Sequence, residues 1–145
     1  MHSWEGYGVR VVREPQLPFP KLTVSCPAEI ADLLQRQIAF EDRENFVVVI
    51  LDARNQVLGI NTVSVGSLSA SIVHPRETFK PALLMGGASI ILAHNHPSGD
   101  SSPSQDDITL TRRLAKAGEI LGIEVLDHLV VVETGWLSLK ERGLM

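Results

Sequence analysis

The chain has one cysteine, Cys26, in 145 residues, and this scarcity closes off several chemistries. No intramolecular disulfide can form, no all-cysteine zinc site can be built, and the zinc deaminase pattern of His-x-Glu with Pro-Cys-x-x-Cys is missing. Any zinc would have to rely mainly on nitrogen and oxygen ligands. Cys26 itself stands next to Pro27 with no partnered base in the sequence, so an inert, half-buried thiol is expected rather than a nucleophile. Aromatic residues are only 5% of the chain, and Trp4 and Trp136 are too isolated to form a base-stacking platform. Positive charge is scarce as well: 13 Lys and Arg against 17 Asp and Glu give a net charge of -4, and Arg112-Arg113 is the only basic pair. That argues against a broad phosphate-binding surface and disfavours direct nucleic-acid binding. No apolar run approaches the roughly 18 residues of a membrane span. The N-terminus lacks the charged-then-apolar pattern of a secretory signal. A cytoplasmic location without a membrane partner is the expectation.

What is present reads as one globular domain, with 44% hydrophobic and 21% charged residues and enough length to bury a core without staples. Residues 1–25 carry Gly6, Gly8, Pro15, Pro18 and Pro20 and one short apolar run at 9–12, which suggests an extended arm or edge strand and not a domain. The domain proper is expected over 26–145. Ser25 offers an N-cap with Pro27 in the first turn, and Ile30, Leu33, Leu34 and Ile38 repeat at helical spacing. The unbroken apolar run 46–51 predicts a central strand buried on both faces. A hairpin partner is expected at 57–66, another strand at 68–73, and a second helix from His74-Pro75 to Gly86-Gly87. A strand through Ser89 to Ala93 follows, then a third helix from Ser104 closed near Gly122, a strand at 124–132, and a short terminal helix over 137–142. The order predicts an α/β fold, a mixed β-sheet sandwiched by helices with the 89–93 strand near its middle.

That strand runs into His94-Asn95-His96, after which Pro97, Ser98, Gly99, Asp100 and Pro103 turn the chain into Ser104-x-x-Asp107. Side chains two apart on a strand share a face, about 7 Å apart at Cα given a rise of roughly 3.3 Å per residue, so both imidazoles can meet one ion. With Asp107 on the next helix's first turn, the set is N, N and O, which leaves a fourth position for water as in catalytic zinc sites. Zinc would lower that water's pKa towards about 7. Glu44, just before the central strand, is the best-placed general base, and Ser104 can donate to a developing oxyanion. Each element also has a plainer reading. His-x-His alone is a weak signal, Ser104-x-x-Asp107 reads equally as a capping pair, and Glu44 by type is a solvated charge in a charged loop. His74 and the Asp127-His128 pair are weaker candidates still, since a histidine at an element end is more often structural. Asp106, about 100° round the helix from Asp107, is expected in solvent.

Taken together, Glu44, His94-x-His96 and, after seven residues, Ser104-x-x-Asp107 resemble the JAMM signature of the JAB/MPN metalloproteases. The fuller text Ile90-Ile91-Leu92-Ala93-His94-Asn95-His96-Pro97-Ser98-Gly99-Asp100 with Pro103-Ser104 is similar to the JAB domain of the bacterial RadC family. So are Pro75-Arg76-Glu77 and Leu126-Asp127-His128-Leu129, and the similarity extends over 26–145. The resemblance implies a cytidine-deaminase-like α/β sandwich holding Zn2+ through His94, His96 and Asp107, with Glu44 as general base and Ser104 assisting the tetrahedral intermediate. It also disfavours Asp100 as a ligand, by spacing. The implied activity is hydrolysis of peptide or isopeptide bonds in a peptide or protein substrate. A role as a DNA repair or recombination accessory, suggested by the family's traditional naming, and a catalytically silent interaction module are the alternatives. Longer RadC proteins carry an N-terminal helix-hairpin-helix-like region, where this sequence has only its arm. A homodimer could form through an edge strand at 9–12 or 67–73.

Overall fold

The computed structural model describes Gly6 and residues 22–66 and 73–145. The expected arm with its 9–12 strand, Trp4, and nearly all of the 68–73 strand lie outside them, as do both edges suggested for dimer pairing apart from Val73. Among the described residues, three helices and five strands follow in the order α1 (Pro27–Ile38), β1 (Asn45–Leu51), β2 (Val57–Val65), α2 (Pro75–Met85), β3 (Ser89–Asn95), α3 (Gln105–Leu121), β4 (Glu124–Val132) and β5 (Gly135–Ser138).

The strands form one mixed sheet in the order β2-β1-β3-β4-β5, so β3 lies at its centre, as the sequence predicted. Among the described strands only β3 and β4 pair in parallel, and α3 is the crossover that joins them. Strand alternation divides the central strand between two cores. Ile91 and Ala93 face α1 with Val47, Val49, Leu129 and Val131, packed on Ile30 and Leu34. Ile90 and Leu92 face the other way with Phe46, Val48 and Ile50, packed on Phe79 of α2 and Leu110 and Leu114 of α3. The fully buried faces of β1 and β3 explain why neither sequence alternates between apolar and polar.

Two tight approaches fix how α3 returns to the sheet. Gly122 ends the helix at φ 74°, a left-handed conformation that glycine adopts without strain. A Cβ on Gly118 would sit 2.3 Å from the Ile123 carbonyl oxygen, so only glycine lets the chain fold back there.

Three expectations need correction. The terminal helix over 137–142 does not form: Trp136, Leu137 and Ser138 pair with β4 as β5, and turns follow. The N-cap of α1 is Cys26, not Ser25, and it makes no side-chain cap bond. Ser25 instead donates through its N–H and Oγ to the Glu29 carboxylate, at 2.8 and 2.6 Å. Cys26 is also exposed rather than half-buried. No helix of the described residues is long and apolar enough to cross a membrane.

Candidate metal centre

The same alternation that buries Ile90 and Leu92 carries His94 to the α3 side of the sheet, where it is fully buried. His96 lies just beyond the strand and turns onto the same side, so that the two Nε2 atoms are 2.9 Å apart. From α3, Asp107 brings Oδ2 to 3.4 Å from His94 Nε2 and 3.3 Å from His96 Nε2. One ligand atom from each of the three residues lies within 4.8 Å of the others, a group able to hold a metal ion.

The start of α3 resolves the two readings of Ser104 and Asp107 by combining them. Ser104 Oγ accepts from the Asp107 N–H at 3.0 Å, and Asp107 Oδ2 accepts from the Ser104 N–H at 2.8 Å, a complete capping box. The oxygen that caps the helix is therefore the one that faces the histidines. Because Oγ caps as an acceptor, its own proton is not consumed by the cap.

Proton positions bear on whether a cation fits. His96 Nδ1 lies 2.7 Å from the Asp100 carbonyl oxygen, which can only accept, so Nδ1 carries the proton. A neutral His96 then presents the Nε2 lone pair to the cluster, beside the Asp107 carboxylate. Two nitrogen donors and one carboxylate oxygen crowded within these distances suit a divalent cation of the zinc type. Without a cation, a proton fills part of this role: contact with Asp107 raises the His96 pKa above its ordinary value, against the opposing effect of burial. Burial alone would raise the Asp107 carboxyl, yet its contacts with His94 and His96 hold it far below the usual carboxylate range.

Glu44 is half-buried and lines a cleft of about 300 Å³ together with His96, Pro97, Ser98, Asp100 and Ser102. The cleft opens beside the cluster, so all five residues singled out from the sequence gather at one end of the sheet. Asp100 does not join the group: its side chain accepts from the Ser102 N–H at 2.9 Å, and its part is the backbone carbonyl that holds His96. Asp106 is exposed, as its helix position predicted.

The sequence profile of the family described as the RadC-like JAB domain matches residues 24–144. The chain belongs to that family. Among curated relatives of this RadC-like JAB domain, a UPF0758 protein of Moorella thermoacetica is 58% identical over 119 residues, covering 82% of this chain and 52% of the relative. A UPF0758 protein of Desulfitobacterium hafniense is 51% identical over 128 residues, 88% of this chain and 56% of the relative. Another from Rubrobacter xylanophilus is 52% identical over 135 residues, 93% and 57% respectively. The chain thus spans about half the length of the curated relatives it matches.

Two residues of the RadC-like JAB domain that sequence reasoning did not single out support the site from behind. Asn95, between the two histidines, points to the opposite face and is fully buried. Its Oδ1 accepts from the Asn45 N–H at 2.6 Å, and its Nδ2 donates to the Arg43 carbonyl at 2.9 Å, which ties down the segment that carries Glu44. Thr111 lies one helical turn after Asp107 and contacts His128, which stands directly behind His94. Its spacing from Asp107 was the one available signal. Of the weaker candidates, Asp127 is structural: it accepts from the His128 N–H at 2.7 Å and from Ser138 Oγ at 2.6 Å, linking β4 to β5. His74 is the exposed N-cap residue of α2, with no side-chain cap bond.

Proposed function

We propose that this RadC-like JAB domain is a zinc-dependent hydrolase of peptide or isopeptide bonds. The observation that carries the reading is the convergence of His94 Nε2, His96 Nε2 and Asp107 Oδ2 next to a cleft that also contains Glu44. Zinc bound there supplies a Lewis acid that makes water a nucleophile near neutral pH. His94, His96 and Asp107 are its ligands, and the rigid strand end and capped helix hold them in place. Glu44 takes the proton that water gives up and returns it to the leaving amine. Ser104, whose Oγ caps α3 as an acceptor, donates its remaining proton to the oxygen that gains charge as the carbonyl is attacked. The open, solvent-facing cleft suits an extended peptide better than a buried small molecule.

Net charge of -4 and the absence of a basic run give no support to a nucleic-acid substrate. The test is hydrolysis of a peptide and isopeptide library by the zinc-loaded protein and by Glu44→Gln. Cleavage by wild type, lost by about 100-fold or more in Glu44→Gln with zinc content unchanged, is the expected result. Equal rates would refute the role of Glu44. No cleavage by a zinc-loaded wild type would favour the interaction-module reading.

A further inference from the structure

Behind the three ligand atoms runs a buried hydrogen-bond chain that the proposed reaction does not use. His128 is fully enclosed, with Nε2 2.6 Å from His94 Nδ1 and Nδ1 2.6 Å from Thr111 Oγ1. Thr111 Oγ1 is in turn 2.6 Å from the backbone carbonyl oxygen of Asp107. The chain therefore starts on one ligand residue and ends on another.

Its direction follows from counting protons. A carbonyl oxygen only accepts, so the single hydroxyl proton of Thr111 goes to Asp107. Oγ1 can then only accept from His128, which places a proton on His128 Nδ1. His128 is fully buried, and its ring nitrogens are hydrogen-bonded to Thr111 Oγ1 and His94 Nδ1 rather than to a carboxylate, so the ring carries the one proton on Nδ1 and leaves Nε2 as an acceptor. His94 Nδ1 must donate to it. The one nitrogen of His94 left without a proton is Nε2, the atom 2.9 Å from His96 Nε2 and 3.4 Å from Asp107 Oδ2.

We propose that His128, oriented by Thr111, is a positioning residue that locks His94 in its Nδ1–H form and so aims the Nε2 lone pair at the metal group. The Phe46 ring packs against His128 in a T-shaped arrangement, with centroids 5.8 Å apart. A histidine that was merely a satisfied core residue would affect stability when replaced, but not the proton position on His94. Metal ligation rests on the function proposed above; the proton position does not.

Two measurements test the proposal. In chelator-treated wild type at pH 8, the ¹⁵N shifts of the His94 ring are expected to show the proton on Nδ1. A proton on Nε2 would overturn the proposal whether or not the protein binds metal. Separately, the affinity for Co2+ is measured by competition with a chelator for wild type, His128→Leu and His128→Gln. His128→Leu is expected to bind about 10–100-fold more weakly, while His128→Gln, whose amide oxygen can still accept from His94 Nδ1, stays within about fivefold of wild type. Unchanged affinity in folded His128→Leu would overturn the metal-directed role. If wild type showed the Nδ1–H form yet bound no metal, the tautomer lock would stand and the hydrolase reading would fall.

Discussion

Asp107 Oδ2 is asked to cap a helix and to face two histidines, and the two duties can be separated by substitution. Ser104→Ala removes only the bond from the Asp107 N–H, because the Ser104 N–H still donates to Asp107 Oδ2. Losing this half of the box costs about 1 kcal/mol, or about 3–5 °C in a domain of this size. Asp107→Asn keeps both halves, since an amide oxygen can accept from the Ser104 N–H. It forfeits the charge at the helix start, worth about 0.3–1 kcal/mol, and removes the anionic ligand. Zinc at about 100 times its dissociation constant adds about 2.7 kcal/mol to a protein that binds it, or roughly 10 °C here. Thermal melts at pH 8 with chelator and with zinc separate these effects. Wild type and Ser104→Ala are expected to gain the same increment from zinc, with the variant starting lower. Asp107→Asn is expected to start below wild type, having also lost the carboxylate's contacts with His94 and His96, and to lose most of the increment. Equal zinc increments in wild type and Asp107→Asn would refute the dual role, and loss of the increment in Ser104→Ala would show that Ser104 is itself needed to bind zinc.

Asn95→Ala should destabilise the fold by about 1–3 kcal/mol, because the Asn45 N–H loses its partner and the Arg43 carbonyl keeps only the Asn45 side-chain amide; urea denaturation measures this. Zinc content should stay at the wild-type level while any hydrolysis falls, since the residue holds the Glu44 segment and touches no ligand atom. The pH dependence of the metal-free protein has two opposing parts. His96 has a raised pKa in the fold, so its stabilising contribution is complete below the unfolded value near 6.5 and is lost as pH rises through the folded value. His128 is lowered by burial and then by His94, so below 6.5 the unfolded state binds more protons there and stability falls on acidification. Stability in chelator should therefore peak near the ordinary histidine pKa, and the decline on the alkaline side of that peak should be absent in His96→Gln. Zinc reverses the alkaline limb, since it needs a neutral His96: below the folded pKa its affinity should fall by about tenfold per pH unit, as a titration at several pH values would show.

Much of the architecture was legible because the signals were local and strong. The apolar runs at 46–51 and 89–93, the Pro at the start of α1 and α2, and Gly122 after α3 each correspond to an element or its end. β5 was misread because four residues carry too little periodicity, and their state is set by pairing with β4 across Val132↔Gly135 to Leu129↔Ser138. The cap of α1 moved because Ser25 had a competing partner in Glu29. At the site, the three ligand candidates could be found from spacing and resemblance, since strand alternation and a helix start dictate where they point. Asn95 could not, because its partners lie about fifty residues upstream in backbone that carries no side-chain signature. Thr111 was hidden for a similar reason: a threonine in an amphipathic helix looks ordinary until His128 is seen against it.

The central claim is that His94, His96 and Asp107 hold one zinc-type ion, and zinc titration of the chelator-stripped protein followed by dialysis and elemental analysis tests it most directly. One equivalent retained by wild type, with loss in both His94→Ala and Asp107→Ala while circular dichroism shows the fold intact, is the predicted result. Failure of the wild type to retain zinc, or full occupancy in His94→Ala, would contradict it.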